Sequence, residues 1–178
     1  RNLVIMFTQS DKTYENIITA ENLTKIVWTS EGPLEILSSV NLAIKTGESI
    51  AIMGTSGSGK TTLISLLAGL DTPTSGTVKL YDRLLTAMDE DALARFRRNN
   101  MGVVFQSFHL IPTMTALENV ATPLELAGQR DAFARARAEL EAVGLAGRAD
   151  HYPAQLSGGE QQRVALARAS APRPDILL

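Results

Sequence analysis

The sequence predicts an α/β fold with an N-terminal β part, a core strand that runs through a glycine-rich loop into a helix, and an inserted helical lobe. Three observations carry this expectation. Ser49-Ile50-Ala51-Ile52-Met53 is nearly continuous apolar, the pattern of a strand buried on both faces. Val40, Leu42 and Ile44 alternate with polar residues, as a half-buried strand does. From about Thr115 to Ala169 the chain reads as mostly helical, with few strand signals.

The elements follow in order. No function is read from residues 1–16, an N-terminal extension ahead of a domain expected over 17–178. Ile17 to Leu23 reads as a strand, and Lys45-Thr46-Gly47-Glu48 turns the chain between the next two. Lys60 to Ala68 is helical, with Gly69 a natural stop. Pro73 to Gly76 is a turn, and Val78 and Leu80 alternate again. Asp89-Glu90-Asp91 place negative charge at the start of a helix running through Arg98, where the dipole favours it. Gly102 to Phe105 reads as a short strand, followed by a helical subdomain at about 107–157. Phe133, Ala136, Leu140 and Val143 have the spacing of one apolar helix stripe, expected to pack in the core.

Composition narrows the function. Lys and Arg number 17 against 19 Asp and Glu, a net charge of −2, which leaves no electrostatic footprint for nucleic acid. Without cysteine in its 178 residues, the sequence has no disulfide, thiolate nucleophile or Cys-based zinc site. Neither His109 nor His151 has partners at metal-ligand spacing.

Two motifs carry the chemistry. The first is GTSGSGKT, Gly54 to Thr61, which satisfies G-x-x-x-x-G-K-[ST] between a strand and a helix. Glycines let the backbone wrap around phosphate with its N–H groups turned inward. Lys60 supplies a point charge for the β and γ phosphates, and the Thr61 hydroxyl suits Mg²⁺. The second is LSGGEQQRVALARA, Leu156 to Ala169. Ser157 and Glu160 form an S-x-x-E capping box, so a helix begins there. Gly158 and Gly159 fill its first turn, where each weakens the helix by up to about 1 kcal/mol relative to alanine. They leave bare N–H groups and the positive helix end open to an anion. One nucleotide then has two phosphate-binding surfaces far apart in sequence, which points to surfaces on different subunits.

The combination of GTSGSGKTT, VVFQSF and LSGGEQQRVALARA resembles the nucleotide-binding subunit of ABC transporters, over about Ile17 to Leu178. GLDTPTSG and FHLIPTMTALENV are similar to the bacterial lipoprotein-releasing and macrolide-export subgroup. The resemblance implies a P-loop NTPase core, ATP and Mg²⁺, and a peripheral place on the cytoplasmic face of a bacterial inner membrane. It implies a head-to-tail dimer in which each ATP lies between one subunit's P-loop and the other's signature helix. By position, Gly54, Thr55, Ser56, Gly57, Ser58, Gly59, Lys60, Thr61 and Thr62 would hold phosphates, with Thr61 and Gln106 on Mg²⁺. Gln106 would also touch the attacking water; Ser157, Gly158 and Gly159 would meet the opposing subunit's γ-phosphate, with Glu160 and Gln161 nearby. Phe108, His109, Leu110, Ile111 and Met114 resemble the groove that receives a transmembrane permease subunit, against the alternative of packing between lobes.

The sequence departs from the family in places. The aromatic residue that stacks on adenine in the family is matched by Val27, with Trp28 beside it as the candidate substitute, against the alternative of a surface or core residue. Ser170 stands where a bulky apolar residue is common. Ile176-Leu177-Leu178 reads as the start of a buried strand that in the family continues to an Asp supporting Mg²⁺ and a Glu acting as base. Those carboxylates and the C-terminal part of the core lie outside the sequence, so these 178 residues alone are expected to bind nucleotide at most, as part of a transport ATPase. The alternative is a non-hydrolysing nucleotide-binding module or a degenerate remnant. A small-molecule kinase on the same P-loop fits the signature helix poorly. An ABC ATPase acting on DNA or ribosomes fits the lack of basic patches poorly.

Overall fold

A computed structural model describes the backbone of residues 3–7 and all of residues 15–178. The expectation for residues 1–16 falls partly outside the described residues, at 1–2 and 8–14. The described residues divide into two compact units, those up to residue 97 with Leu178 and residues 98–177.

The first unit is built on an antiparallel sheet. Strands β2 (Asn16–Thr29) and β3 (Gly32–Lys45) form a long hairpin, and β5 (Ser75–Leu80) and β6 (Arg83–Leu84) extend it in the order β3-β2-β5-β6. Ile44, Val78 and Leu80 are fully buried, and Val40 and Leu42 are half-buried beside exposed Asn41 and Ala43. The alternation read from the sequence thus marks the more inward positions, while at the start of β2 the adjacent Ile17 and Ile18 are both fully buried. The hairpin turns tightly because the Thr29 hydroxyl donates to Gly32 O at 2.9 Å and Gly32 adopts φ 117°. Register shifts on both sides of Asn22, itself at φ 50°, mark a bulge in β2. Gly76 crosses that bulge so closely that a Cβ would lie 2.3 Å from Asn22 O, and its φ of 87° also requires glycine.

Within the same unit β1 (Leu3–Phe7) pairs antiparallel with β4 (Ile50–Ile52). The strand expected over Ser49 to Met53 is therefore shorter than its apolar run, and it is not buried on both faces: Ala51 is exposed and Met53 is 69% exposed. The physical reason is coverage, since β4 has its one ladder with β1 among the described residues. Helix α1 (Lys60–Leu67) buries Leu63, Ile64, Leu66 and Leu67, and Gly69 ends it at φ 62° as expected. Helix α2 (Glu90–Asn100) starts with Asp89, whose carboxylate accepts the Ala92 N–H at 2.7 Å.

The second unit is a helical cluster. Helices α3 (Ala116–Leu126), α4 (Ala132–Ala142) and α5 (Gly158–Ser170) close around Val120, Leu124, Ala136, Leu140, Leu156 and Val164. The stripe expected on α4 is corrected at its first position. Ala132 is buried at 3% exposure while Phe133 is 46% exposed, so the inward row runs Ala132, Ala136, Leu140 and Val143. Steps of four, four and three keep one face inward, and the small Ala132 and Ala136 let α4 approach its neighbours closely.

Strand β7 (Met101–Gly102) pairs in parallel with β8 (Ile176–Leu177). The strand expected over Gly102 to Phe105 thus begins one residue earlier and ends after Gly102. Gly102 is required by packing, because a Cβ there would sit 2.3 Å from Ala169 O on α5. No helix among the described residues is long and apolar enough to cross a membrane.

Candidate functional site

The glycine-rich loop leaves β4 and enters α1 in the order the motif requires. Gly57 and Gly59 take φ of 80° and 81°, a conformation that side chains with a Cβ rarely adopt. Gly59 is also pressed against β3: a Cβ would meet Ile36 O and the Leu37 side chain at 2.9 Å. Gly54 is tight for another reason, since a Cβ there would lie 2.6 Å from the Ser58 hydroxyl oxygen. Gly59 caps α1 without any side-chain hydrogen bond, so the helix begins with its N–H groups uncovered by side chains.

The Lys60 side chain folds back over the loop. Its ammonium donates to Gly54 O at 2.9 Å, to Thr55 O, and to the Ser58 hydroxyl at 3.2 Å. Three oxygens from two parts of the loop converge on one charge, which fixes the lysine over the turn. Thr61 is exposed and Thr62 half-buried in the first turn of α1. Loop N–H groups, a helix N-terminus and a fixed ammonium together can bind a polyphosphate.

The signature segment folds as its motif predicts. The Ser157 hydroxyl accepts the Glu160 N–H at 3.3 Å, and the Glu160 carboxylate accepts the Ser157 N–H at 2.8 Å and its hydroxyl at 2.7 Å. Arg148 donates to the same carboxylate at 3.1 Å. The Ser157 backbone N–H, then its hydroxyl, then Arg148, hold Glu160 below its ordinary value of 4.5. The box is therefore complete above that value and is lost as pH falls through the lowered one. The Gln161 amide donates to Pro153 O at 3.0 Å and Leu156 O at 3.1 Å, securing the turn that leads into α5.

Gly158 and Gly159 are not explained by the chain's own structure. Both lie outside the positive-φ region, both are exposed, and a Cβ on Gly158 would meet nothing within 4 Å. A Cβ on Gly159 would meet the Arg163 guanidinium at 4.0 Å, an ordinary contact. Neither backbone conformation nor internal packing calls for glycine there. What remains is access from outside to the first turn of α5.

Between these motifs in sequence, Gln106, Ser107 and His109 are exposed and Phe108 and Leu110 half-buried. Ile111 is 36% exposed, and Met114 is half-buried. The segment is shaped by a residue that the sequence reading passed over. Asn119, fully buried on α3, accepts the Ile111 N–H at 2.7 Å and donates to Ile111 O at 3.1 Å and Met114 O at 3.0 Å. A polar residue on the apolar face Leu117-Val120-Ala121 was the signal available for it. Asn119→Ala would leave the Ile111 N–H and Met114 C=O without partners, at about 3 kcal/mol. The melting temperature is expected to fall by roughly 6–12 °C in a calorimetric scan, and an unchanged midpoint would refute the role.

Trp28 lies near the hairpin tip opposite Pro33 and is 82% exposed, with its ring free of the core. Ser170 is half-buried, its hydroxyl 3.2 Å from both Glu139 Oε2 and Ala167 O, so it contributes hydrogen bonding in place of apolar bulk.

Residues 37–178 match the family model described as ABC transporter. The chain belongs to the ABC transporter ATP-binding family. It is 55% identical over 165 residues to the uncharacterized ABC transporter ATP-binding protein YbbA of Escherichia coli K12, covering 92% of this chain and 72% of that one. It is 46% identical over 168 residues to the lipoprotein-releasing system ATP-binding protein LolD of Chromohalobacter salexigens, covering 92% and 70%. Among solved structures, the dimeric post-hydrolysis state of the ATP-binding cassette MJ0796 bound to ADP and Pi superposes with a TM-score of 0.82 at 41% identity, covering 88% of this chain and 70% of that one. The P-loop NTPase architecture expected from the sequence is thus the fold of this ABC ATPase. Its family couples ATP hydrolysis to transport, the enzyme class that the resemblance implied.

Proposed function

We propose that this ABC ATPase binds Mg²⁺-ATP at Gly54 to Thr62, against the signature helix of a second ATP-binding subunit, and powers a transporter of the lipoprotein-release or macrolide-export type. The observation that carries the reading is the pair Gly158 and Gly159, exposed, conformationally ordinary and with ample room for a side chain. A cradle for one face of a phosphate chain in the P-loop, and a bare helix N-terminus that needs an external occupant, are complementary halves of a shared site. The dimeric, nucleotide-bound state of the solved MJ0796 cassette supports the same arrangement.

In this reading Lys60 neutralises the β and γ phosphates, and Thr61 and Gln106 hold Mg²⁺ with the attacking water. Phosphoryl transfer depends on positioning and charge stabilisation, so these groups act by holding the γ-phosphate in line with water. Ser157, Gly158 and Gly159 meet the γ-phosphate of the opposing subunit, while Glu160 and Gln161 shape the turn that presents them. Trp28 provides the face for adenine. Phe108, His109, Leu110, Ile111 and Met114 receive a transmembrane permease subunit, which places the protein peripherally on the cytoplasmic face of a bacterial inner membrane. The likeness to the lipoprotein-releasing LolD subunit supports this subgroup.

The test is ATP-dependent association of the full-length protein, followed by light scattering with Mg²⁺-ATP under non-hydrolysing conditions. Wild type is expected to shift from monomer to dimer. Ser157→Arg is expected to stay monomeric and inactive while its affinity for a fluorescent ATP analogue is unchanged. Normal dimerisation and turnover by that variant would sink the shared-site reading.

A further inference from the structure

We infer that Arg168 is a positioning residue whose guanidinium fork holds the Phe108-His109 turn, tying the helix that opens at the signature to the segment that carries Gln106. The inference rests on the roles proposed for those two segments. Its basis is local geometry. Phe108 and His109 stand at φ 60° and 47°, two consecutive non-glycine residues in the left-handed region. Such a pair is unfavourable by itself and persists only where its surroundings impose it.

The imposing group is visible. Arg168, near the C-terminal end of α5, donates from one terminal nitrogen to His109 O at 2.7 Å and from the other to Phe108 O at 2.8 Å. A planar fork with two parallel donors fits two successive carbonyls. The turn is also closed internally, by the Phe108 N–H donating to Phe105 O at 3.0 Å, and Gln106 lies inside that loop. The Phe105 ring meets His109 edge-on at 4.9 Å. On the far side Asn119 pins Ile111. The segment 105–111 is therefore gripped at two points, one of them on the signature helix, so a tilt of α5 is delivered to the loop around Gln106.

Glycine separates this role from simple packing, because it adopts the left-handed conformation without help. In the full-length protein, Arg168→Ala is expected to leave the affinity for a fluorescent ATP analogue within about twofold of wild type, to lower kcat about tenfold, and to leave KM unchanged. Amide hydrogen exchange over 108–111 is expected to rise about tenfold or more. Adding His109→Gly to Arg168→Ala is expected to restore at least about a third of the lost kcat. Arg168→Lys, which keeps the charge and loses the fork, is expected to show the same kcat loss and serves if the alanine variant does not fold. Full kcat in Arg168→Lys, or no recovery by His109→Gly, would overturn the inference and leave Arg168 a packing residue of α5. Lys60→Ala in the same assays keeps the two readings apart. If that variant binds ATP normally, the proposed site is wrong, while the exchange of 108–111 still reports on the clamp.

Discussion

Alanine at position 60 is expected to weaken ATP binding by roughly 10- to 150-fold, the worth of a charge-assisted hydrogen bond of about 1.5–3 kcal/mol. Two effects add in the same direction. In the proposed site, bound phosphates would lose the point charge of Lys60 at the start of α1. The loop also loses its internal brace, since the same ammonium ties Gly54 O and Thr55 O to the Ser58 hydroxyl. Lys60→Met keeps the aliphatic stem and separates charge from packing. Titration of the full-length protein with a fluorescent ATP analogue reads the effect, with thermal melting as the control for folding. Binding within about threefold of wild type would mean that Lys60 serves the loop alone.

The second large effect is expected from the smallest substitution. Gly158→Ala meets open space at an ordinary helical position, so the fold should be unharmed or firmer by a few tenths of a kcal/mol. Binding of ATP by one subunit should also be unchanged. Hydrolysis by the dimer is nevertheless expected to fall by about tenfold or more, because a methyl group would stand between the α5 N–H groups and the opposing γ-phosphate. Melting temperature, nucleotide affinity and turnover measured together make the pattern diagnostic. Undiminished turnover in a normally folded Gly158→Ala protein would remove the reason proposed for both glycines.

Much of this site was legible because its physics is local. The P-loop spans eight residues, and its strand-loop-helix context is written in adjacent hydropathy patterns. The capping box at Ser157 and Glu160 is a three-residue reach, and the structure forms both of its reciprocal bonds. Mid-chain packing was less legible. On α4, Phe133 has the hydropathy of a core residue and is largely exposed, while Ala132 is buried. A one-residue rotation of the stripe is decided by how closely α3 and α5 approach, and small residues such as Ala132 and Ala136 permit that approach. Asn119 was missed because a polar residue amid apolar ones reads as a lapse until its backbone partners are known.

By itself the sequence determined the glycine-rich loop between β4 and α1, the start of the signature helix, and the family to which both belong. These depend on backbone conformations and hydrogen bonds among residues a few places apart, which residue type and spacing specify directly. Tertiary structure alone decided that Gly102 must admit the backbone of Ala169, and that Arg168 grips carbonyls 59 and 60 residues away in sequence. It also decided that Gly158 and Gly159 answer to no contact within the chain. Such facts depend on which surfaces meet after folding, and the same glycine or arginine carries no mark in sequence of what it will face.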